Sequence, residues 1–471
     1  MSASTPTIVA VLPRGEAIRN FVYTGALELA AREAKVRLMT VVPNAELGAM
    51  LTERFGQLVE LHEADELSLN GYVREILDMA HGRWLWSKAA EDRWRLRDTE
   101  ATTVPTRLKR LGKKAAAVPF ATVPGLAVLS RLEDELGQGF HVPPEYVRML
   151  SVWRPSLVFN GSHVHGRVGT PAIRAAKALG IPTAAFIFSW DNLTSQGRIM
   201  PGHDYYLVWS EEIREQLLGI YPGVRSDRVI VTGTPQFDFH RRPEYLMSRE
   251  ELCAKVGLDP SRPFLLYSSG MANHMPGEPS IVEGIARSLA TMSDLGPPQL
   301  LVRVYPKDRT GRFEELGQLG VPGLCVPEIP WEPRWLTPKP EDSALLTSMI
   351  AHSAGGINVA STVSLELAMF DKPVINVGYS PRGTTREHEY ARFYEFDHYA
   401  PVVASGAIEV VFREVEMEAA LRRVIVEPTH RAAGRRRLVE RMFGSRLDGR
   451  GANRVAEALL ELARRRGSAR A

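Results

Sequence analysis

A chain of 471 residues, with 44% apolar and 24% charged side chains, exceeds one hydrophobic core and predicts about two or three soluble domains. A formal charge of +3, from 58 basic and 55 acidic residues, excludes a uniformly basic nucleic-acid binder. The two cysteines, Cys253 and Cys325, match neither a disulfide framework nor a zinc spacing, which favours a reducing cytosol.

Residues 7–12 form a β-branched run ending at Pro13-Arg14-Gly15, and a helical pattern is predicted over 18–32. A strand follows at 36–42, a helix at 46–55 and a strand at 58–61. This alternation predicts a mostly parallel sheet covered by helices, with the loops after the strands gathered at one edge. Residues 67–150 break it with aromatic and arginine-rich segments around Trp84, Trp86 and Trp94, and turns at Pro105, Pro119 and Pro124. A mostly helical insertion is expected there.

The rhythm resumes at 157–159, followed by the loop Asn160-Gly161-Ser162-His163-Val164-His165-Gly166 and a helix over 170–179. A strand over 184–188 leads into the loop 189–197. A strand at 205–209 precedes a helix starting near Ser210, with Glu211 and Glu212 at its positive end. Residues 228–231 and the turn Thr232-Gly233-Thr234-Pro235 complete a first domain over 1–240. A boundary is expected within 240–262.

A second α/β domain is expected over 263–430. Its strands are predicted at 263–267, 299–304 and 321–326, and its helices at 280–292, 311–319 and 341–351. The stretch 358–379 then reads as a loop, a helix, a break at Asp371-Lys372-Pro373 and a buried strand at 374–377. Ser361 and Thr362 are its N-cap candidates, and Glu366 lies within the first turns. Helices are expected at 414–427, 430–443 and 451–466. Residues 431–471 hold twelve arginines, no lysine and four acidic residues. These closing helices are expected to face solvent or pack back on the first domain, with anionic lipid as the alternative partner.

A helix start carries unpaired N–H groups and partial positive charge, so Ser361 and Thr362 suit an anionic group such as a diphosphate. The plainer alternative is a strand–helix unit capped by its own serine. Ser268 and Ser269, ahead of Gly270, can contact phosphate, and Arg303 or Lys307 can neutralise it. Turn formation and a surface ion pair compete with those roles. Glu366 can accept hydrogen bonds from sugar or ribose hydroxyls.

In the first half, Arg19 lies near a helix start. His163 and His165 are candidate general bases, because imidazole titrates near neutrality. No H-E-x-x-H motif or cysteine cluster supports zinc, so no metal site is expected. Asp191 can act as a base or orient a donor, Asn192 adds hydrogen-bonding capacity, and Trp190 can stack on a sugar face. Alternatively Trp190 fills the core while Asp191 and Asn192 cap a turn. The polar segment 381–388, with Arg386, can close over a ligand or face solvent.

The combination N-V-A-S-T-V-S-L-E-L-A-M-F-D-K-P-V-I-N-V, W-D-N-L-T-S-Q-G and V-T-G-T-P-Q-F-D resembles bacterial GT-B enzymes of surface-polysaccharide assembly. It is also similar to the CDP-glycerol glycerophosphotransferase and UDP-N-acetylglucosamine 2-epimerase branches of that fold. The resemblance covers most of the chain outside 67–150. It implies two facing Rossmann-like domains, with the donor diphosphate chiefly against the second, and assigns Ser361, Thr362 and Glu366 to the donor side. Tyr305 stands where glycerophosphotransferases have a histidine before proline, which counts against that mechanism.

The expected reaction is metal-independent transfer of a sugar from a nucleotide-diphosphate donor to a hydroxyl of a glycan or lipid-linked acceptor. The donor is a substrate; no cofactor and no nucleic acid are expected. Arg19, Trp190, Asn192 and Arg386 are acceptor-side candidates, and the helical insertion is a further one. Epimerisation, alditol-phosphate transfer and carbohydrate binding without turnover are the alternatives. The N-terminus shows no secretory signal and no apolar stretch spans a bilayer. A cytoplasmic protein is therefore expected, with peripheral contact to an anionic membrane left open.

Overall fold

The computed structural model describes residues 5–63, 68–140, 142–164 and 166–469. The chain divides into two compact units. The first comprises Met1–Asp238, Glu332–Thr337 and Arg446–Ala471, and the second Phe239–Trp331 and Pro338–Ser445.

The first unit is built on a parallel sheet of seven strands. They are β1 (Thr7–Leu12), β2 (Lys35–Thr40), β3 (Val59–Glu60), β4 (Leu157–Asn160), β5 (Thr183–Phe186), β6 (Tyr205–Val208) and β7 (Val229–Val231), in the order β3-β2-β1-β4-β5-β6-β7. Ile8 to Leu12 are completely buried, as a continuous apolar run must be when helices cover both faces of a parallel sheet. The strand order reverses between β1 and β4, so the loops after these two strands diverge to opposite faces and leave a crevice.

The helix expected over 18–32 is broken. It forms as Gly15–Ile18, a π-helical turn Arg19–Tyr23, and Ala26–Ala31. Gly25 has φ +83°, a left-handed conformation glycine adopts without a side-chain clash. The insertion consists of helices Ser68–Leu85, Lys88–Glu100, Val104–Ala117, Val123–Phe140 and Pro144–Trp153. Leu77, Ala80, Ala117, Leu126 and Leu129 give it a small core of its own.

The second unit carries a six-stranded parallel sheet. Its strands are β8 (Phe264–Ser268), β9 (Gln299–Arg303), β10 (Leu324–Cys325), β11 (Gly355–Asn358), β12 (Val374–Val377) and β13 (Glu409–Val411), in the order β10-β9-β8-β11-β12-β13. Its reversal lies between β8 and β11. Ser268 is level with Arg303 on one side and Asn358 on the other, and Asn358 is level with Asn376. Four polar residues thus stand at one height across four neighbouring strands, at or next to their ends.

The arginine-rich terminus divides. Helix Ala432–Phe443 belongs to the second unit, and Gly451–Ala469 to the first. Arg435 does not face solvent: it is 1% exposed, and its Nε donates to Asp371 at 2.7 Å. In the first unit, Asp238 accepts the N–H groups of Gly451 at 2.9 Å and Ala452 at 2.8 Å, which caps the final helix.

Candidate functional site

The loops flanking the reversal in the second unit are Ser268-Ser269-Gly270, after β8, and Val359 to Thr362, after β11. Asn358 organises the latter. Its Oδ1 accepts from the Ser361 N–H, the Ser364 hydroxyl and the Asn376 amide, each at 3.0 Å. The Tyr399 hydroxyl closes the network on Asn376 at 2.6 Å and Ser364 at 2.8 Å. All four side chains are fully buried, so these mutual bonds are what make their polarity tolerable. The network also holds Ala360 at φ +43°, a conformation costing a non-glycine residue roughly 1–2 kcal/mol.

The expected serine–threonine cap is corrected by this geometry. The helix spans Val363–Met369, and Thr362 precedes it with helical torsions and no side-chain cap bond. Ser361 Oγ accepts the Val363 N–H, at 3.3 Å. Ser361 and Thr362 are half-buried at the loop, while Asn358 does the structural tethering.

Arg303 is corrected as well. Its Nη2 donates to both carboxylate oxygens of Asp342 at 2.9 Å, and both residues are buried. A guanidinium neutralised inside the fold is not a phosphate clamp in this conformation. Ser269 is likewise engaged, its Oγ accepting the Tyr305 N–H at 2.8 Å and tying the loops after β8 and β9. Ser268 is buried at the strand end. Lys307 is half-buried, with its ammonium 5.7 Å from the Tyr305 ring centre. Arg386 is exposed on a short helical turn.

Glu366 is 8% exposed, so its carboxylate does not stand in open solvent. Its Oε2 meets His240 Nε2 at 2.8 Å, while His240 Nδ1 lies 2.9 Å from the Thr347 hydroxyl. A carboxylate only accepts, so Nε2 carries the proton; in the neutral ring Nδ1 then accepts from Thr347.

A second constellation follows β8. Glu278 is completely buried at the start of helix Glu278–Ala290. It accepts from the Gly270 N–H, the Tyr267 hydroxyl and Arg312 Nη2, all at 3.0 Å. Burial still pushes its carboxyl up to about 7, against the lowering effect of those donors and of the Arg312 charge. Arg312 also donates to Asp308 at 2.5 Å and to the Gly270 carbonyl at 3.1 Å. The loop 269–278 is braced from beneath by this pair.

In the first unit, Arg19 starts the π-helical turn that follows β1 and helix Gly15–Ile18, and the loop after β4 contains His163; His165 lies outside the described residues. Arg19 is half-buried and donates to Asn20 at 2.9 Å and Gln236 at 3.5 Å. His163 is buried, with Nδ1 3.1 Å from the Phe186 carbonyl. Burial pulls it down to about 4, although the Phe186 bond and the nearby Asp191 carboxylate both favour the charged ring. A ring so reluctant to accept a proton is a weak general base at neutral pH.

Asp191 stays partly exposed, and its Oδ2 accepts the Ser195 hydroxyl at 2.7 Å. Asn192 is buried, its Oδ1 closing the loop on the Ser189 N–H at 2.9 Å, and Trp190 is 5% exposed. Trp190 therefore fills the core of this unit and presents no open stacking face. Of the sequence candidates, the fold brings Asp191 and His163 together in one unit, and Ser268, Ser269, Ser361, Thr362 and Glu366 around the strand ends of the other.

Glu278, Arg312 and His240 are additional polar residues that sequence reasoning did not single out. An acidic residue in the first turn after a Ser-Ser-Gly loop is the available signal for Glu278.

Solved structures match over nearly the whole chain. The UDP-GlcNAc 2-epimerase of Neisseria meningitidis bound to UDP-GlcNAc aligns at TM-score 0.53 and 13% identity, covering 97% of this chain and 99% of that one. The 2-epimerase of Rickettsia bellii aligns at 0.51 and 12%, covering 98% and 97%. The chain has the GT-B fold. Both GT-B units, each with a reversed parallel sheet, are accounted for by these alignments. No family model matches the sequence, and no curated protein matches it.

Proposed function

We propose that the protein binds a nucleoside-diphosphate sugar in its second unit and transfers the sugar to a hydroxyl of a glycan or lipid-linked acceptor. The observation that carries this reading is the pairing of the Ser268–Gly270 and 359–362 loops over the strand-order reversal, with Glu366 on the helix that follows. Reversal points in parallel sheets are where nucleotide ligands seat. Loop N–H groups, Ser361, Thr362 and Lys307 supply donors for a diphosphate, and Glu366 supplies an acceptor for sugar or ribose hydroxyls.

Catalysis as proposed is electrostatic stabilisation of the departing diphosphate, together with positioning of both substrates. Asp191 removes the acceptor proton, and Arg19, Asn192 and Arg386 remain the proposed acceptor-side contacts. No catalytic metal or cofactor is assigned to this reaction. The acceptor and the cytoplasmic setting stay part of the proposal.

A second reading, nucleotide-sugar 2-epimerisation, is favoured by the identity of the two GT-B structures above, one of which holds UDP-GlcNAc. Incubation with nucleotide sugars in the absence of acceptor separates the two. Donor left intact until a glycan acceptor is added supports transfer. Formation of a C2 epimer without acceptor supports epimerisation and overturns transfer.

A further inference from the structure

The insertion of the first unit presents an unusual surface. On helix Val104–Ala117, Val104, Leu108 and Leu111 are 67%, 63% and 63% exposed, and Val118, just past its end, is 49% exposed. At 3.6 residues per turn, these spacings put all four on one narrow stripe. Val123, Val128 and Leu132 on the following helix are exposed as well.

Helix Val104–Ala117 carries Arg107, Lys109, Arg110, Lys113 and Lys114 and no acidic residue. Arg107 and Lys109 are exposed, and Lys114 reaches Asp98 at 2.5 Å. The helix is well founded, with Thr103 and Thr106 forming a reciprocal cap and Pro105 in the first turn. Its outward apolar stripe contributes nothing to that foundation.

An occupant of this face must be apolar along the stripe and negatively charged beside it. An anionic bilayer surface offers both at once. No single described helix is long and apolar enough to cross a membrane. The segments Val104–Phe120 and Val123–Gln138 meet that measure only jointly, with a bend of 117° between them.

We propose that this helix pair seats the protein on anionic lipid. Val104, Leu108, Leu111 and Val118 enter the acyl boundary, while Arg107, on the flank of the stripe, meets headgroup phosphate. This seat is independent of the reaction proposed above.

The test is co-sedimentation of the full chain with vesicles of phosphatidylglycerol and phosphatidylcholine in equal parts. The wild type pellets with these vesicles, and about tenfold less with phosphatidylcholine alone. The double variant Leu108→Glu, Leu111→Glu loses about tenfold or more of the binding with unchanged thermal unfolding, because both positions are exposed. Arg107→Glu weakens binding and flattens its salt dependence.

A wild type that stays in the supernatant, or leucine variants that pellet equally, overturns the proposal. So does a vesicle-indifferent wild-type dimer that the leucine substitutions convert to monomer, since the stripe would then pair two copies.

Discussion

His240 and Glu366, 126 positions apart in the chain, meet at 2.8 Å between Nε2 and Oε2, with Thr347 held on the other ring nitrogen at 2.9 Å. Each partner is nearly excluded from water, so neither is easily satisfied without the other. His240→Ala is expected to cost about 1–3 kcal/mol of stability by stranding the carboxylate. Combined with Glu366→Gln, the loss should fall short of the sum of the single effects in denaturant unfolding. Strict additivity would show that the two do not interact.

Arg303 and Asp342 form a buried bidentate pair, so breaking it should act on folding. Arg303→Met is expected to destabilise by about 3–5 kcal/mol, because Asp342 is left charged and unpartnered. Asp342→Leu combined with Arg303→Met should recover much of that loss. A variant that unfolds like wild type but no longer binds nucleotide would instead return Arg303 to the phosphate.

Glu278 gives a pH signature with an unusual sign. Its folded carboxyl is raised to about 7 from an ordinary 4.5, so the native state holds the proton more tightly than the unfolded chain does. Its contribution to stability is complete below about pH 4.5 and is lost as pH rises through 7. Glu278→Gln removes that dependence. The stability difference between wild type and variant should move in the variant's favour by roughly 3 kcal/mol between pH 5 and 8. A pH-independent difference would place the carboxyl in the ordinary range.

The buried histidines of the first unit act in the opposite direction. Burial lowers His81 and His203 to about 3 and His163 to about 4, from 6.5. Their contributions are present above pH 6.5 and fade as the pH falls toward 4 and 3, because the unfolded chain takes up protons first. Melting temperatures should drop across that window, and His203→Gln should make the drop shallower. Equal slopes for variant and wild type would contradict the assignment.

Strands such as Thr7–Leu12 and Val374–Val377 were legible because short runs rich in β-branched apolar residues declare a buried parallel strand. β11 was not, because Gly355 and Gly356 carry no strand signal. They are glycines for packing: a Cβ on Gly356 would lie 2.2 Å from Leu367 Cδ1, and one on Gly355 2.4 Å from Val424 Cγ1. The candidate site was half legible. The loops after strands could be named from Ser, Gly and Asp. The ion pairs that engage Arg303 and Glu278, and the hydrogen bond that engages Glu366, join segments up to 126 residues apart and leave no local pattern.

Asp191 and His163 lie in the same unit but carry different expectations. Asp191→Asn should reduce turnover about 100-fold or more with little change in donor affinity, as loss of a general base does. His163→Gln should change turnover far less. The reverse ranking would move the proton-accepting role to the histidine.

The account depends most on a nucleotide sugar seated over the β8–β11 reversal. Calorimetric titration of the wild type and of Ser361→Ala, Thr362→Ala with UDP-, GDP-, CDP- and dTDP-sugars tests it directly. One donor should bind selectively to the wild type and about tenfold or more weaker to the double variant, with the fold preserved. No binding by any of the four, or equal binding by the variant, would contradict it.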